Sequence, residues 1–247
     1  MNPIFQIQFN NRHIAQAVKF NRGEQLKPCV DSFNLLSNAN GQRPILVLVG
    51  GASGMTPQDL EQLSFFFSHV ICPLVEHHQG IVIDGGTDAG VMRLMGEARL
   101  HTGSTFPLIG VVAQGTVCLP QQHPPILADY AVLEPNHTHF ILVPGGLWGD
   151  ESPWMAQTAT LLTSRKSFTI LVNGGNIAWQ DVANSVKADR PVLVVAGSGR
   201  TADALAQAIA GNRDQERANQ LVDSGLLSAV ELQSDLEALK TRIQDYL

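Results

Sequence analysis

The most constraining feature of this 247-residue sequence is a short, uninterrupted apolar run that recurs six times, usually before a helical pattern. The runs are continuous instead of alternating, which is typical of strands buried on both faces of a parallel sheet. In five of the six, the apolar run ends in a glycine cluster. The six segments are 45–55, 80–90, 106–115, 139–151, 168–179 and 191–209.

This alternation of buried strands and helices predicts an α/β fold, in which helices cover both faces of a mainly parallel sheet. Right-handed crossovers would bring the carboxyl ends of all these strands to one edge. We therefore expect an open, doubly wound, Rossmann-like domain. A (β/α)₈ barrel is the weaker alternative, because the chain contains about six such units and not eight.

The sequence predicts a single domain, 1–247, because no linker separates two parts of the chain. Its core is expected at 44–210. Residues 1–43 are an N-terminal extension, in which 4–20 alternates as a hairpin or edge strand would. Residues 211–247 are predicted to be helical. An apolar stripe there would dock on the core or on a second copy; it comprises Val230, Leu236, Leu239, Ile243 and Leu247.

Composition and charge exclude several classes of function. The net charge of −6 without a basic patch argues against a nucleic-acid partner. No apolar run approaches the roughly 20 residues that cross a bilayer, and no signal peptide is recognisable, so we expect a cytoplasmic protein without a membrane partner. The three cysteines fit no metal or redox spacing, and we expect no metal site and no required cofactor. Homo-oligomerisation and an effector protein stay open.

The glycine clusters predict a ligand cleft at one edge of the sheet. In open parallel sheets, ligands bind in the crevice beyond the carboxyl ends of the strands. Glycine also serves tight turns that need a positive φ, but five such turns at one edge favour a ligand. The glycines concerned are Gly50, Gly51, Gly85, Gly86, Gly145, Gly146, Gly174, Gly175, Gly197 and Gly199.

The first and last of these turns have the character of phosphate cradles. Thr56 and Pro57 form a good N-cap and first-turn pair, so the amides and dipole of the following helix are expected to face the cleft. In the last turn, Arg200 can bind phosphate in a bidentate manner, and Ser198 or Thr201 can cap the helix. A dinucleotide fingerprint would need an acid on a following strand, and we recognise no such strand. The ligand candidates of the two turns are Gly50, Gly51, Ser53, Gly54, Gly197, Ser198, Gly199, Arg200 and Thr201.

The turn at 84–90 is acidic and suits a different part of a ligand. Asp84 and Asp88 would repel a phosphate, whereas a carboxylate at a strand end can accept hydrogen bonds from ribose hydroxyls. Asp88 is more simply explained as a helix N-cap, so Asp84 is the stronger ligand candidate. Gly85, Gly86 and Thr87 complete the predicted contacts of this turn.

The segment 134–152 combines histidines, an aromatic residue and acids. His137 and His139 lie two residues apart, so an extended chain would point them to opposite sides, which favours structural roles over a shared metal. Trp148 is a candidate for stacking on a base, with core packing as the alternative. Asp150 and Glu151 can bind ribose, act as a general base, or stabilise the first turn of a helix.

Taken together, several blocks of the sequence resemble the SLOG superfamily. They are "VGGASGM", "DGGTDAGVMRLMGEA", "FPLIGVVAQGTV", "PNHTHFILV" and "RPVLVVAGSGRTADALA". The most similar branch is the one at the cytosolic N-terminus of melastatin-type TRP channels and in stand-alone prokaryotic proteins. The similarity runs from about Pro44 to Ala210, with the blocks in the same order.

The resemblance implies a Rossmann-like fold that binds nucleotide-derived ligands, with ADP-ribose and its cyclic relatives as the leading class. By this resemblance, the ligand-binding positions of the family correspond to the glycines of the first two turns and to residues 197–201. The superfamily also contains LOG-type phosphoribohydrolases, whose signature is PGG-x-GT followed by a glutamate. Here Pro144, Gly145 and Gly146 match, but Trp148 and Gly149 replace the GT, and Glu151 lies only near the place of the glutamate.

Three functions follow as hypotheses. The first is a module that binds or senses a nucleotide-derived ligand without turnover. The second is a hydrolase of a nucleotide N-glycosidic bond, with Glu151 or Asp84 as acid/base and Arg200 holding the phosphate. The third, which the resemblance also allows, is a carrier of a phosphorylated cofactor.

Overall fold

The computed structural model describes residues 3–35, 43–120, 122, 129–162 and 166–247. Its strands are β1 (Ile4–Gln8), β2 (Ile14–Lys19), β3 (Ile45–Gly50), β4 (Ile81–Asp84), β5 (Leu108–Ala113), β6 (Val117–Cys118), β7 (Ala131–Val132), β8 (His139–Val143), β9 (Ser167–Val172), β10 (Val192–Ala196) and β11 (Leu227–Glu231).

The helices follow the strands as the apolar pattern predicts. A π-helical turn, Phe67–Ile71, joins the second and third helices. The α-helices are α1 (Leu26–Ser32), α2 (Pro57–Phe66), α3 (Cys72–His77), α4 (Gly90–His101), α5 (Ser152–Leu162), α6 (Asn176–Lys187), α7 (Arg200–Ile209), α8 (Glu216–Val222) and α9 (Leu236–Gln244).

Nine of the strands form one sheet in the order β1-β2-β8-β5-β4-β3-β9-β10-β11. Every neighbouring pair in it is parallel except β1 and β2. From β3 the chain winds outward through β4, β5 and β8 on one side, and then from β9 through β10 to β11 on the other. The winding direction therefore changes between β3 and β9, which is where an open sheet opens a crevice.

Two apolar cores cover the two faces of this sheet, which confirms the doubly wound α/β fold. Val47 and Val49 of β3 face one core, with α1, α5, α6, α7 and α8. Leu46 and Leu48 face the other, with α2, α3, α4 and α9. Because successive strand residues point to opposite faces and both faces are covered, β3 has to be apolar along its whole length.

The ends of the chain confirm one expectation and correct another. The N-terminal hairpin is present, as β1 pairs with β2 in antiparallel fashion, and β2 also extends the main sheet beside β8. The segment 211–247 is not wholly helical, because Leu227–Glu231 forms β11 beside β10. Val230 therefore lies in a strand, whereas Leu239 and Ile243 are buried on α9. The strand was missed because it is a five-residue, half-buried edge strand, too short for a continuous apolar run.

The following strand that appeared to be missing after 197–201 is thus β11, and it ends in the acid Glu231. Within the described ranges, none of the helices is both long enough and apolar enough to traverse a bilayer.

Candidate functional site

A cleft of about 290 Å³ opens at the carboxyl ends of β3 and β9, where the winding of the sheet changes direction. Its walls come from the turn after β3 and from the start of α6. Gly50 is required at this edge, because a Cβ atom there would lie 2.1 Å from Cγ2 of Val91 on α4. The predicted ligand residues that line the cleft are Gly50, Gly51, Ser53, Gly85, Thr87, Trp148, Glu151, Gly175 and Arg200.

Arg200 is the cation of the cleft. Its Nη1 donates a hydrogen bond to the carbonyl of Ser53 at 2.8 Å, so the side chain reaches from α7 to the turn after β3. The guanidinium lies over Gly175, where a Cβ atom would be 3.1 Å from Nη2. Arg200 is exposed, and among the described residues no carboxylate oxygen lies within 4.0 Å of it. Four of its five N–H groups therefore remain to receive an anion.

The backbone of Arg200 also has an uncommon conformation, with φ of +52° in a residue that is not glycine. Such conformations are retained where the surrounding structure holds them. Asn173 provides this support, because its amide nitrogen Nδ2 donates to the carbonyl of Ser198 and its backbone N–H donates to Ser198 Oγ. The turns after β9 and β10 are thereby tied together below Arg200.

In the glycine-rich turn 197–201, the first and last amides are used within the fold. The N–H of Gly197 donates to Oδ1 of Asp203, and the N–H groups of Thr201 and Ala202 donate to the carbonyls of Gly174 and Asn173. The expected side-chain cap on α7 is absent. Among the residues of this turn, Gly197, Ser198, Gly199 and Thr201 do not line the cleft, and neither do the predicted ligand residues Gly54 and Gly174.

The open helix N-terminus at the cleft is that of α6. Gly175 is its N-cap residue, with no side-chain cap, and Gly175, Asn176 and Ile177 line the cleft. In contrast, α2 begins with the predicted Thr56 cap in a capping box with Asp59, which occupies the amides that were expected to face a phosphate. The helix N-terminus that lines the cleft beside the Arg200 guanidinium is therefore that of α6.

Asp84 lies beneath the cleft and not on its wall. The side chain is fully buried, and its Oδ1 accepts hydrogen bonds from Gly86 N–H at 2.7 Å and from His137 Nε2 at 2.8 Å. On the other side of the imidazole, His137 Nδ1 lies 2.7 Å from Oε2 of Glu134. We refer to Asp84, His137 and Glu134 as the buried histidine cluster. Asp84 was expected to contact a ligand, but it does not line the cleft, and its Oδ1 is engaged by His137, which lies 53 residues away in the sequence.

The contacts of this cluster require a charged imidazole. Asp84 Oδ1 accepts from Gly86, and Glu134 Oε2 accepts from the N–H of Asn136 at 2.9 Å, so both carboxylates act as acceptors. Both imidazole nitrogens must then donate. Burial alone would lower the pKa of His137, but the charge and hydrogen bond of Asp84, together with Glu134, raise that pKa to about 9.

Other polar residues of the predicted site also have structural partners. Asp88 is not the N-cap of α4, which is Ala89, and its Oδ1 accepts from Nε of Arg93 at 2.7 Å. His139 lies beside the ring of Phe33, and burial followed by the charge of Arg99 lowers the pKa of this histidine to about 4. Gly86 packs against Gly110 behind the cleft.

The turn after β8 presents Trp148 at the cleft. Its Nε1 donates to Oδ2 of Asp129 at 2.9 Å, and the indole is 37% exposed, so one face is available for stacking. Asp150 is occupied within its own turn, where Oδ2 accepts from the N–H groups of Gly146 and Leu147. These hydrogen bonds lower the pKa of Asp150. Gly145 and Gly146 serve this turn and do not line the cleft.

Two carboxyl groups, Glu151 and Asp181, line the cleft together. Glu151 accepts from the N–H of Gly149, at 3.0 Å to Oε2, and burial raises its pKa above the ordinary value despite these bonds. Asp181 is a residue of α6 that sequence reasoning missed. Burial raises the pKa of Asp181 to about 7; a hydrogen bond from Ser152 lowers it, and the charge of Glu151 raises it further.

A signal for Asp181 was present in the sequence. The buried stripe of α6 comprises Ala178, Asp181, Val182 and Ser185, at helical spacing, so Asp181 is an acid on an apolar face. A carboxyl group at such a position needs a hydrogen-bond or ion-pair partner, or a functional role that accounts for the cost of burying it. Asn176, Met92, Thr116 and Met155 also line the cleft without having been predicted to do so.

With the cleft described, comparison with known proteins identifies the chain's relatives. Residues 43–240 match the protein family described as "SLOG in TRPM, prokaryote". The chain belongs to this prokaryotic SLOG family. The match covers most of the chain and includes β3 through most of α9, so the cleft lies within the SLOG region.

Animal ion channels contain a related region. The SLOG chain is 25% identical over 199 residues to transient receptor potential cation channel subfamily M member 2 of Mus musculus, and 24% identical over 202 residues to that of Rattus norvegicus. The alignments cover 66% and 67% of this chain but 13% of each channel. Among solved structures, a molybdenum cofactor binding protein from Rippkaea orientalis shares the fold, with a TM-score of 0.54 and 17% identity over 83% of this chain and 97% of that chain.

Proposed function

We propose that this SLOG protein binds a nucleotide-derived ligand of the ADP-ribose type in the cleft between β3 and β9. The observation that carries the proposal is the exposed guanidinium of Arg200, which lies over Gly175 at the uncapped N-terminus of α6. A cation and a helix N-terminus that face the same space form a favourable environment for a phosphate group.

The rest of the cleft supports a ligand larger than phosphate. Trp148 offers an aromatic face for a base, and Glu151 offers an acceptor for hydroxyl groups. The turn glycines allow a ligand to approach the backbone closely. Membership of the SLOG family and the similarity to part of the channel proteins agree with a nucleotide-derived ligand, and we propose that the bound state is read by an effector protein.

The experiment that tests this proposal measures binding and turnover together. The purified protein is incubated separately with ADP-ribose, cyclic ADP-ribose, NAD and AMP, and its melting temperature and the products are followed. A ligand present at 100 times its Kd adds about 2.7 kcal/mol of stability, which corresponds to about 5–10 °C for a domain of this size. A shift without product supports a binding module. Absence of a shift with all four compounds contradicts the proposal.

A second function is favoured by the pair of carboxyl groups, Glu151 and Asp181. Burial raises the pKa of both carboxyl groups, that of Asp181 to about 7, and carboxyls with raised pKa values can act as general acid and base in the cleavage of an N-glycosidic bond. Asp84, the other acid considered for this role, is sealed beneath the cleft. Release of a free base from AMP or NAD that disappears in Glu151→Gln would establish the hydrolase, whereas base release that persists in Glu151→Gln would exclude this mechanism.

A further inference from the structure

Asp181 is a buried acid that lacks the partner such a group normally requires. It is only 9% exposed, yet it lies on the wall of the cleft. The hydroxyl of Ser152 hydrogen-bonds to its side chain, and Nδ2 of Asn184 in turn donates to Ser152 Oγ at 2.8 Å. The second oxygen, Oδ1, is buried without a hydrogen-bond partner in the described part of the chain.

The surroundings of Asp181 offer no counter-charge. Among the described residues, no lysine, arginine or histidine nitrogen lies within 4.0 Å of its carboxyl group. Its charged neighbour is instead the acid Glu151, which makes ionisation still less favourable. An unpaired buried carboxyl costs stability, so a hydrogen-bond donor that enters the cleft would relieve a cost already present in the fold.

The position of Asp181 along α6 defines which part of a ligand can supply that donor. Asn176 is the first residue of the helix, and Asp181 follows five residues later, about 7.5 Å along the helix axis. A phosphate held at Arg200 and at the start of α6 therefore lies well away from Asp181. The group that reaches Asp181 has to be a neutral or cationic donor on the same ligand, a few bonds from the phosphate.

We propose that Asp181 is the sugar-binding residue of the cleft, with Oδ1 accepting a hydrogen bond from a 2′- or 3′-hydroxyl of the ligand's ribose beside Glu151. The inference rests on the proposed nucleotide function and adds the orientation of the ligand to it. The phosphate faces Arg200, and the vicinal hydroxyls face the two acids, because the same acids would repel the phosphate. The raised pKa of Asp181 supports the assignment, because it shows that the ionised carboxylate is buried without a partner that stabilises its charge.

The test compares ribo- and deoxyribonucleotides by calorimetry at pH 8, where Asp181 is mostly ionised. AMP, 2′-deoxy-AMP and 3′-deoxy-AMP are titrated into the native protein, Asp181→Asn and Asp189→Asn. Asn is isosteric with Asp and still accepts from Ser152, but it replaces the acceptor Oδ1 by a donor. Asp189 is an exposed acid just beyond the end of α6, which makes it the matched control. ADP-ribose is titrated into the native protein in parallel.

We expect the native protein to bind AMP at least tenfold more tightly than one of the two deoxy analogues. Asp181→Asn should weaken AMP binding at least tenfold and reduce the preference over the deoxy analogue to less than twofold, while Asp189→Asn behaves as the native protein. Equal affinity of the native protein for AMP and both analogues would overturn the inference and leave the proposed function standing, without depending on how any variant folds.

Three further outcomes also decide the matter. A full preference for AMP that persists in Asp181→Asn would overturn the inference. Binding of ADP-ribose without binding of AMP would do the same, because the phosphate and the sugar of one nucleotide would then fail to span the two ends of the site. Absence of binding by both AMP and ADP-ribose would remove the proposed function and the inference with it.

Discussion

Two groups of acids lie at the same edge of the sheet, and each contains a buried aspartate, but their electrostatic surroundings differ. In the buried histidine cluster, two carboxylates flank one imidazolium, and each nitrogen of His137 lies 2.7–2.8 Å from a carboxylate oxygen. In the cleft, neither Glu151 nor Asp181 has a cationic nitrogen within 4.0 Å among the described residues, and Asp181 Oδ1 has no hydrogen-bond partner there. The histidine cluster contains its own counter-charge, although Asp84 Oδ2 is also buried without a partner among the described residues, whereas the acids of the cleft have no counter-charge beside them.

The difference teaches that burial of an acid at the edge of a parallel sheet does not by itself indicate a ligand. The histidine cluster fastens the turn after β4 to the segment before β8, since His137 Nε2 donates to Asp84 across 53 residues of sequence. The acids of the cleft instead lower stability, which proteins tolerate where function requires it. The ligand-binding acid is therefore sought where the counter-charge is missing.

The largest effect is expected from removing the cation of the histidine cluster. His137→Gln leaves two buried carboxylates without their counter-charge, and loss of one partner of a buried ion pair costs about 3–5 kcal/mol. Urea denaturation at pH 7 measures this loss, with the exposed His101→Gln on α4 as the control. A loss below about 1 kcal/mol would contradict the conclusion that the histidine cluster stabilises the fold by joining these two segments.

In the cleft, we expect a substitution to raise the free energy of unfolding instead of lowering it. The pKa of Asp181 in the folded state, about 7, lies above its ordinary value of 3.8, so stability is fully present below pH 3.8 and is lost as the pH rises through 7. Asp181→Asn removes this loss and should raise the free energy of unfolding at pH 8 by up to about 4 kcal/mol. The same variant at pH 3.5 should match the native protein, and a variant less stable than native at pH 8 would contradict the comparison.

The native protein should also lose stability at alkaline pH through His137. The pKa of this histidine is raised from 6.5 to about 9 in the folded state, so its contribution is full below pH 6.5 and is lost as the pH rises through 9. The change is about 3 kcal/mol across this window. Denaturation curves from pH 8 to pH 9.5, above most of the titration of Asp181, measure the part of this change that falls there, and the slope should disappear in His137→Gln and persist in Asp181→Asn. A slope that persists in His137→Gln would show that another titrating group causes this pH dependence.

The fold could be read from the sequence because its signals are local. The six apolar runs became the six predicted parallel strands, since each has to be apolar on both faces, and the hairpin at 4–20 was visible from its alternation. The strand β11 could not be read in this way. It is a strand because it pairs with β10, and the apolar residues around it also fit the spacing of a helix.

The site was less predictable because its contacts join residues that are far apart in the sequence. Asp84 looked free in sequence, since His137 approaches only when β8 packs beside β5 in the sheet. Asp181 was overlooked within a helix, although its apolar stripe marked it. Arg200, which the sequence suggested from its place in a glycine turn after a parallel strand, lines the cleft, and its role in binding a ligand stays a prediction.

The central claim is that Arg200 and the start of α6 hold the phosphate of a nucleotide-derived ligand, and one titration tests it most directly. ADP-ribose is titrated by calorimetry into the native protein, Arg200→Ala and the control Arg213→Ala, an exposed arginine paired with Asp223. We predict measurable binding to the native protein and the control, and affinity lowered about tenfold or more in Arg200→Ala, because charge-assisted hydrogen bonds are lost. Equal affinity in all three proteins, or no binding by the native protein, would contradict the account.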